Sequence, residues 1–467
     1  MAEIATVILA AGEGKRMLST TPKVLSKLCG RTMIDYSLSL ASEMKSNPVL
    51  VVTPKNKANP VHLYLKQFHK VALINQEAPL GTGHAVRACA SKLKNFRGLV
   101  LILYGDDPLL TAPTLKSFLL HVQETKATLG LITAKMKEPT GYGRVVRNGS
   151  GEVLRIVEEK EADAEEKKIH EINTGIYAVR GDWLFATLKN LKPHPVTGEY
   201  YLTDIVEQAV QEGQPLLGFL GEDEEEFCGV NSKKQLAEAE EILRGRLVEH
   251  WSSRGVRFAD PRHVYLEADC TIGAETVIDP QVYLRGKTKI GKNCVIECGS
   301  VLTDMIVGDG VHIKPYCVME ESLIEKEAVV GPFARIRPGS KVGVKARVGN
   351  FVELKKAKLG AGVKANHLTY LGDAEIGAET NIGCGTITCN YDGVKKHPTK
   401  IGKKVFVGSD VQFVAPVKIG DGAYIGAGST ITENVPAKAL AIARGRQVNK
   451  KGWAVMRNKK HKRRHAS

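Results

Sequence analysis

The chain has 467 residues, 43% of them hydrophobic and 25% charged, with a formal net charge of +15. That length fits two or three domains with ample core, and the composition is ordinary for a soluble globular chain, which excludes a disordered or fibrous one. No apolar run approaches the eighteen or more residues of a membrane span, and the apolar start Ile4 to Ala11 lacks a basic flank and a cleavage site, so a cytoplasmic protein is expected.

From the N-terminus, apolar β-rich stretches (Thr6 to Leu9, Val49 to Val52, Leu99 to Leu103) alternate with helix-like ones such as Thr82 to Leu93 and Ala112 to Glu124. This pattern predicts a doubly wound, Rossmann-like α/β domain over residues 1–230, with a mostly parallel sheet and ligands at the carboxyl ends of its strands. The first strand runs into Leu9-Ala10-Ala11-Gly12-Glu13-Gly14-Lys15-Arg16-Met17. Glycines after a strand let backbone N–H groups approach an anion, and Arg16 and the later Lys23 can neutralise phosphate charge. The segment is neither a P-loop nor a dinucleotide fingerprint, because Met17 stands where the third glycine would fall, and taken alone it equally suits a plain strand-to-helix turn. Leu101-Ile102-Leu103-Tyr104-Gly105-Asp106 carries an apolar strand into a carboxylate, a position that suits Mg2+ and, equally, the start of a turn before Pro108. Ser232, with Gln235 three residues on, has capping-box spacing, and Leu236, Leu243 and Leu247 mark the apolar face of a helical linker over residues 231–255.

A different pattern governs residues 256–448. Leu266, Ile272, Ile278, Leu284, Ile290, Ile296 and Leu302 stand six apart, and the spacing resumes at Ile324, Val330, Ile336, Val342, Val348 and Leu354. A third run holds at Ile401, Val407, Phe413, Ile419, Ile425 and Ile431. Such a hexapeptide repeat predicts a parallel β-helix, three short strands to each triangular coil, with every aliphatic side chain pointing inward. A second stripe of small side chains, Cys270, Thr276, Val282, Thr288, Cys294 and Ser300, fits tight corners. The spacing is interrupted between Leu354 and Ile376, where His367 stands off the aliphatic stripe, and again by an insertion between Thr388 and Ile401. Insertions in solenoids often carry binding.

The nine cysteines include no C-x-x-C pair, and Cys270, Cys294 and Cys317 fall on the small-residue stripe, so they read as packing residues in a reducing compartment. Cys294 and Cys298 lack further partners at zinc-ligand spacing. At the end, Lys450, Lys451, Arg457, Lys459, Lys460, Lys462, Arg463 and Arg464 meet no acid, and residues 449–467 are expected to form a solvated, disordered basic tail. Without a nucleic-acid module or interleaved aromatic residues, the tail does not argue for a nucleic-acid partner.

Taken in order, Leu9 to Met17, Pro22-Lys23, Gln76, Gly81-Thr82, Tyr104-Gly105-Asp106, Gly141-Tyr142-Gly143-Arg144, Glu158, Glu171-Ile172-Asn173-Thr174-Gly175 and Gly229-Val230-Asn231 resemble a sugar-1-phosphate nucleotidyltransferase domain. With His367-Leu368-Thr369-Tyr370 and Cys389-Asn390-Tyr391-Asp392-Gly393, residues 3 to 453 resemble the bacterial family of bifunctional N-acetylglucosamine-1-phosphate uridylyltransferases/glucosamine-1-phosphate N-acetyltransferases. The resemblance implies an α/β nucleotidyltransferase domain, a left-handed β-helix that assembles as a homotrimer with sites between subunits, and Mg2+ (or Mn2+), UTP and acetyl-CoA as cofactor and co-substrates. In the first half it implies that Leu9, Ala10, Ala11, Gly12, Gln76, Gly81 and Thr82 hold the nucleotide and that Arg16 and Lys23 face the phosphates. Asp106 and Asn231 would bind the metal, with Tyr104, Gly105, Gly143, Glu158 and Asn173 on the sugar and ribose side.

In the second half the resemblance makes His367 the general base that takes a proton from the amine of glucosamine 1-phosphate, a task suited to an imidazole. Arg337 and Lys355 would hold the sugar phosphate beside Tyr370 and Asn381, and Cys384, Asn390, Tyr391, Ser409, Ala427 and Arg444 would contact acetyl-CoA or the oxyanion. Three positions depart from the family's pattern: Lys15 replaces a usual Thr, Asp107 adds an acid beside Asp106, and Cys384 replaces a common Ala. The alternatives are a single-function nucleotidyltransferase with the β-helix as scaffold, and a zinc enzyme of the γ-carbonic anhydrase type. The scaffold leaves His367, Tyr370 and Asn390-Tyr391 unmotivated, and His312, His367 and His397 lack the zinc enzyme's spacing.

Overall fold

The computed structural model describes residues 3–12, 14–56, 58–195 and 197–464. The chain forms two compact units, Met1–Leu247 and Val248–Ser467.

In the first unit, the strand Ile4–Leu9 pairs in parallel with Leu99–Tyr104 on one side and Val49–Pro54 on the other. The full order across the sheet is Leu216–Gly221, Leu129–Lys135, Glu171–Arg180, Leu99–Tyr104, Ile4–Leu9, Val49–Pro54 and Val71–Gln76. Only Glu171–Arg180 runs antiparallel within this row. Strands buried on both faces read as continuous apolar runs. Ile4 and Ile8 accordingly enter one core, with Phe118, while Ala5, Val7 and Leu9 enter the other, with Tyr177. The helix Ala112–Glu124 matches its expected bounds, with the Thr111 side chain accepting a hydrogen bond from the Thr114 N–H as N-cap. The helix starting at Thr82 ends at Arg87, short of the expected Leu93, because Cys89 and Ala90 turn back to the carbonyls of Val86 and Arg87 in tighter bonds.

Ser232 caps the next helix, but the Gln235 side chain returns to the residue before the cap and not to the Ser232 N–H as a capping box would. Ser232 Oγ accepts from the Gln235 N–H at 3.2 Å, and Gln235 Oε1 accepts from the Asn231 N–H at 2.9 Å. The helix that Ser232 opens, Lys233–Ser252, lies inside the span 231–255 read as a helical linker. Ala239 and Leu243 are buried against Leu28, Met33, Leu109 and Val230, so the first unit extends to Leu247, beyond residue 230.

In the second unit the six-residue spacing becomes a β-helix. Leu284, Leu302, Met319, Ile336, Leu354 and Leu371 stack in register on successive coils. All six are fully buried. The corner hydroxyls tie coil to coil: Thr276 Oγ1 donates to Gly291 O at 2.9 Å and accepts from Cys294 N at 3.1 Å. Burial pushes the Cys270 thiol up to about 12 and the Cys317 thiol to about 11, as expected of packing residues.

The breaks in the spacing after Leu302 and after Leu354 are shortened corners, whereas the insertion between Thr388 and Ile401 is a loop with an antiparallel bridge from Tyr391 to Lys396. Asp304, Glu321, Lys356 and Asp373 take left-handed backbone angles (φ 51, 41, 48 and 49°). Each closes a corner in one residue fewer, while the parallel pairing of Arg347–Lys355 with Lys364–Gly372 continues without a break. The C-terminal tail also differs from expectation: Trp453–Arg464 is helical. Alanine, methionine, lysine and arginine favour helix there, and neither Gly nor Pro interrupts the segment. Residues 465–467 and the side chains of residues 459–464 lie outside the described set. No helix among the described residues is long and apolar enough to cross a membrane.

Candidate active sites

The carboxyl ends of the paired strands Ile4–Leu9 and Leu99–Tyr104 open onto a cavity of about 540 Å3. Its wall holds Leu9, Ala10, Ala11, Gly12, Lys23, Gln76, Gly81, Thr82, Tyr104, Asp106, Gly143, Glu158, Asn173 and Asn231. Two expected residues stand elsewhere. Gly105 lies behind the wall, its N–H donating to Leu9 O at 2.9 Å, and a side chain there would meet Val24 Cγ1 at 3.2 Å. Arg16 is exposed and off the wall, because its short turn buries Met17 instead. Gly81 has φ +93°, and a Cβ on it would strike the Tyr200 carbonyl, so only glycine fits there. The Lys15 side chain lies outside the described set.

Charge gathers at one end of the cavity. The Lys23 ammonium donates to Asp106 Oδ2 and, at 2.8 Å, to Asn231 Oδ1. The Val230 N–H donates to Asp106 O at 3.2 Å, linking the loop of Asn231 to the end of the central strand. Burial raises the Asp107 carboxyl well above the ordinary range; the Asp106 charge adds to this and Lys23 opposes it. Glu158 is also raised, first by burial, against the Thr203 hydroxyl that donates to its Oε1 at 3.0 Å. A carboxylate and an amide oxygen converging on one cation are a donor set that fits a hard divalent metal, so Asp106 and Asn231 suit Mg2+.

On the β-helix, a second set of expected residues meets on neighbouring coils. Arg337 Nη1 donates to Glu353 Oε1 at 2.9 Å, and Glu353 pairs in register with Tyr370. Lys355 Nζ lies 2.8 Å from Asp373 Oδ2, which also accepts from Asn390 Nδ2 at 2.6 Å. The left-handed corner at Asp373 places its carboxylate there. Burial works to raise Asp373, but hydrogen bonds from Lys355 and Asn390 outweigh it and hold the carboxyl below its usual range.

His367 is exposed, with Nδ1 3.2 Å from Asn350 Oδ1 on the preceding coil. One corner column carries on from it. Gly385 N–H donates to Leu368 O at 2.9 Å, Asp410 N–H to Cys384 O at 2.7 Å, and Gly428 N–H to Ser409 O at 2.9 Å. His367, Cys384, Ser409 and Ala427 therefore stack on successive coils, and Arg444 Nη1 donates to Ala427 O at 2.6 Å. Asn381 pairs with Lys364, three residues before His367 in its strand. Tyr391 is exposed on the inserted loop.

A nucleotidyl transferase family model matches residues 5–253, and a bacterial transferase hexapeptide model matches residues 269–304 and 398–433. The chain is 46% identical to the bifunctional protein GlmU of Pelobacter propionicus, over 98% of this chain and 100% of that protein. It is 46% identical to the Brevibacillus brevis protein of the same name, over 97% and 98% of the two chains. For that of Geobacter sulfurreducens the identity is 43%, over 97% and 99%. The chain belongs to the GlmU family. This is the bifunctional family that the motifs resembled, and the chain is accordingly both a uridylyltransferase acting on N-acetylglucosamine 1-phosphate and a glucosamine-1-phosphate acetyltransferase.

Sequence reasoning missed part of the first cavity. Glu199, Tyr201 and Thr203 also line it, as does Tyr142, which stood in the Gly141-Tyr142-Gly143-Arg144 motif without a role of its own. Tyr142 accepts a hydrogen bond from the Gly229 N–H at 3.3 Å, and burial raises its phenol. Glu199-Tyr200-Tyr201-Leu202-Thr203 carries no repeat or period that would have singled it out, only polar and aromatic residues crowded before a helix. On the β-helix, Asn350, Glu353 and Asp373 were missed because their partners lie on other coils.

Proposed function

We propose that the two activities are divided between the two units. In the first cavity, backbone groups of Leu9 to Gly12, with Gln76, Gly81 and Thr82, hold UTP, and Glu158, Asn173, Gly143 and Tyr104 receive the ribose and the sugar. An oxygen of the sugar phosphate attacks the α-phosphorus in line and pyrophosphate leaves, so the protein's work is positioning and charge neutralisation. Mg2+ held by Asp106 and Asn231 would supply positive charge for the phosphates. Lys23 supplies charge from the protein itself, and Arg16 reaches the phosphates only by turning inward from its exposed position.

On the β-helix, Arg337 and Lys355 bind the sugar phosphate beside Tyr370 and Asn381. His367 removes a proton from the sugar ammonium. The amine then attacks the thioester carbonyl of acetyl-CoA, which lies along the column of Cys384, Ser409, Ala427 and Arg444 with Asn390 and Tyr391, and the thiol leaves. Homotrimer assembly, with a neighbouring copy completing this site, is supported by an exposed ladder of stacked rings: Tyr316 to Phe333 at 5.4 Å and Phe333 to Phe351 at 5.5 Å. Leu368, 61% exposed, sits next to His367. Apolar surface of this kind is covered in most stable assemblies. We place the enzyme in the cytoplasm, where its buried thiols stay reduced.

The observation that carries the first assignment is the convergence of Lys23, Asp106 and Asn231 at the ends of the central strands. The test is to incubate the protein with Mg2+, UTP, acetyl-CoA and glucosamine 1-phosphate while following thiol and pyrophosphate together. Release of both supports the division. Pyrophosphate only on adding N-acetylglucosamine 1-phosphate, without thiol, would make the β-helix a scaffold.

A further inference from the structure

Lys23 stands where a phosphate ligand has no need to be. Its ammonium donates to Asp106 Oδ2 and to Asn231 Oδ1, the same two oxygens that suit a divalent cation. The Lys23 and Asp106 side chains are only 11% and 16% exposed, so water screens this pair weakly. The backbone below it is anchored. Val24 is buried, the Ser26 N–H donates to Lys23 O at 3.0 Å, and Gly14, at φ +61°, leaves room for the Lys23 Cβ against the loop. Only the four-carbon stem of Lys23 is left to swing.

We propose that Lys23 is a placeholder cation: its ammonium keeps Asp106 and Asn231 converged and blocks a divalent metal from them until nucleotide phosphate draws it away. The inference rests on reading the first cavity as the nucleotide site. An ammonium and a dication compete for one carboxylate, because each makes the other's position unfavourable by like-charge repulsion. A triphosphate relieves the competition, offering Lys23 another anion and the metal further oxygens. Metal and nucleotide therefore strengthen each other's binding, and the coupling is reciprocal. Without nucleotide, Lys23 holds the metal affinity down.

The test uses the full chain, with Mn2+ as the probe and electron paramagnetic resonance of the free ion as the readout, with and without α,β-methylene UTP. Wild-type protein is expected to bind Mn2+ about tenfold or more tightly once the analogue is present. Lys23→Met is expected to bind Mn2+ about tenfold more tightly than wild type without nucleotide, and to gain less from the analogue. Lys23→Gln, a second neutral variant, should behave in the same way, whereas Lys23→Arg should keep the weak wild-type affinity. Adding Asp106→Asn to Lys23→Met should erase the gain, which locates the ion. Unchanged Mn2+ affinity in both neutral variants, or a gain that survives Asp106→Asn, would overturn the proposal. Failure of wild-type protein to bind the analogue would instead overturn the nucleotide-site reading on which it rests.

Discussion

Replacing His367 by Ala and, separately, Asn350 by Ala distinguishes the base from the group that orients it. His367 Nδ1 lies 3.2 Å from Asn350 Oδ1. An amide oxygen accepts only from Nδ1–H, and that tautomer leaves the Nε2 lone pair to take the proton. A positioned general base contributes about 10²–10⁴-fold. At about 1.36 kcal/mol per tenfold, His367→Ala should therefore raise the acetyl-transfer barrier by about 3–5 kcal/mol. The Asn350 bond is neutral, and a net worth of about 0.5–1.5 kcal/mol predicts a fall of only about 2- to 13-fold in kcat for Asn350→Ala, with KM little changed. Exposure of His367 to water favours the lower end of that range. The assay is thiol release from acetyl-CoA, with pyrophosphate release measured on the same sample to confirm a folded chain. His367→Ala should leave uridylyl transfer intact. The reasoning is refuted if His367→Ala keeps wild-type kcat, or if Asn350→Ala loses as much as His367→Ala, which would mean that Asn350 itself touches the reacting atoms.

Asp106→Ala should show the reverse, abolishing pyrophosphate release while thiol release continues; loss of both activities in folded protein would contradict two separate sites. Asp204, whose carboxyl burial pushes up to about 6, gives a pH prediction. Its folded state binds a proton more tightly than its unfolded state, so its contribution to stability is full below about pH 4 and is lost as pH rises through about 6. Asp204→Asn should therefore stabilise the first unit at pH 8, by no more than about 1 kcal/mol after allowance for solvent screening, and should flatten the pH dependence of unfolding between pH 4 and 6. Ile336→Ala removes a fully buried side chain stacked between Met319 and Leu354, and should cost the β-helix about 2–5 kcal/mol in chemical denaturation followed by acetyl transfer. A cost below about 1 kcal/mol would mean that neighbouring coils close the gap.

The β-helix was legible because its signal is periodic: every aliphatic residue of the three runs points inward, from Leu266 to Ile431. The corners were not. Asp304 and Asp373 sit at corners one residue shorter, yet Asn293 and Phe333 take the same left-handed angles where the six-residue spacing holds, so the residue at a corner does not announce its length. The α/β unit was legible in its strands and in the loop after Leu9, but the extent of the helix Lys233–Ser252 within it was not, since an apolar stripe on a helix does not say which surface it covers.

By itself the sequence determined the two architectures, the order of the motifs and most of the residues at each site, because backbone periodicity and side-chain chemistry are local properties. The tertiary structure alone decided which of those residues meet. It set Lys23 against Asp106 and Asn231, across 83 and 208 positions of chain, and placed Asp373 between Lys355 and Asn390. Such meetings depend on strand order, coil register and corner length, and these are fixed only when the whole core packs.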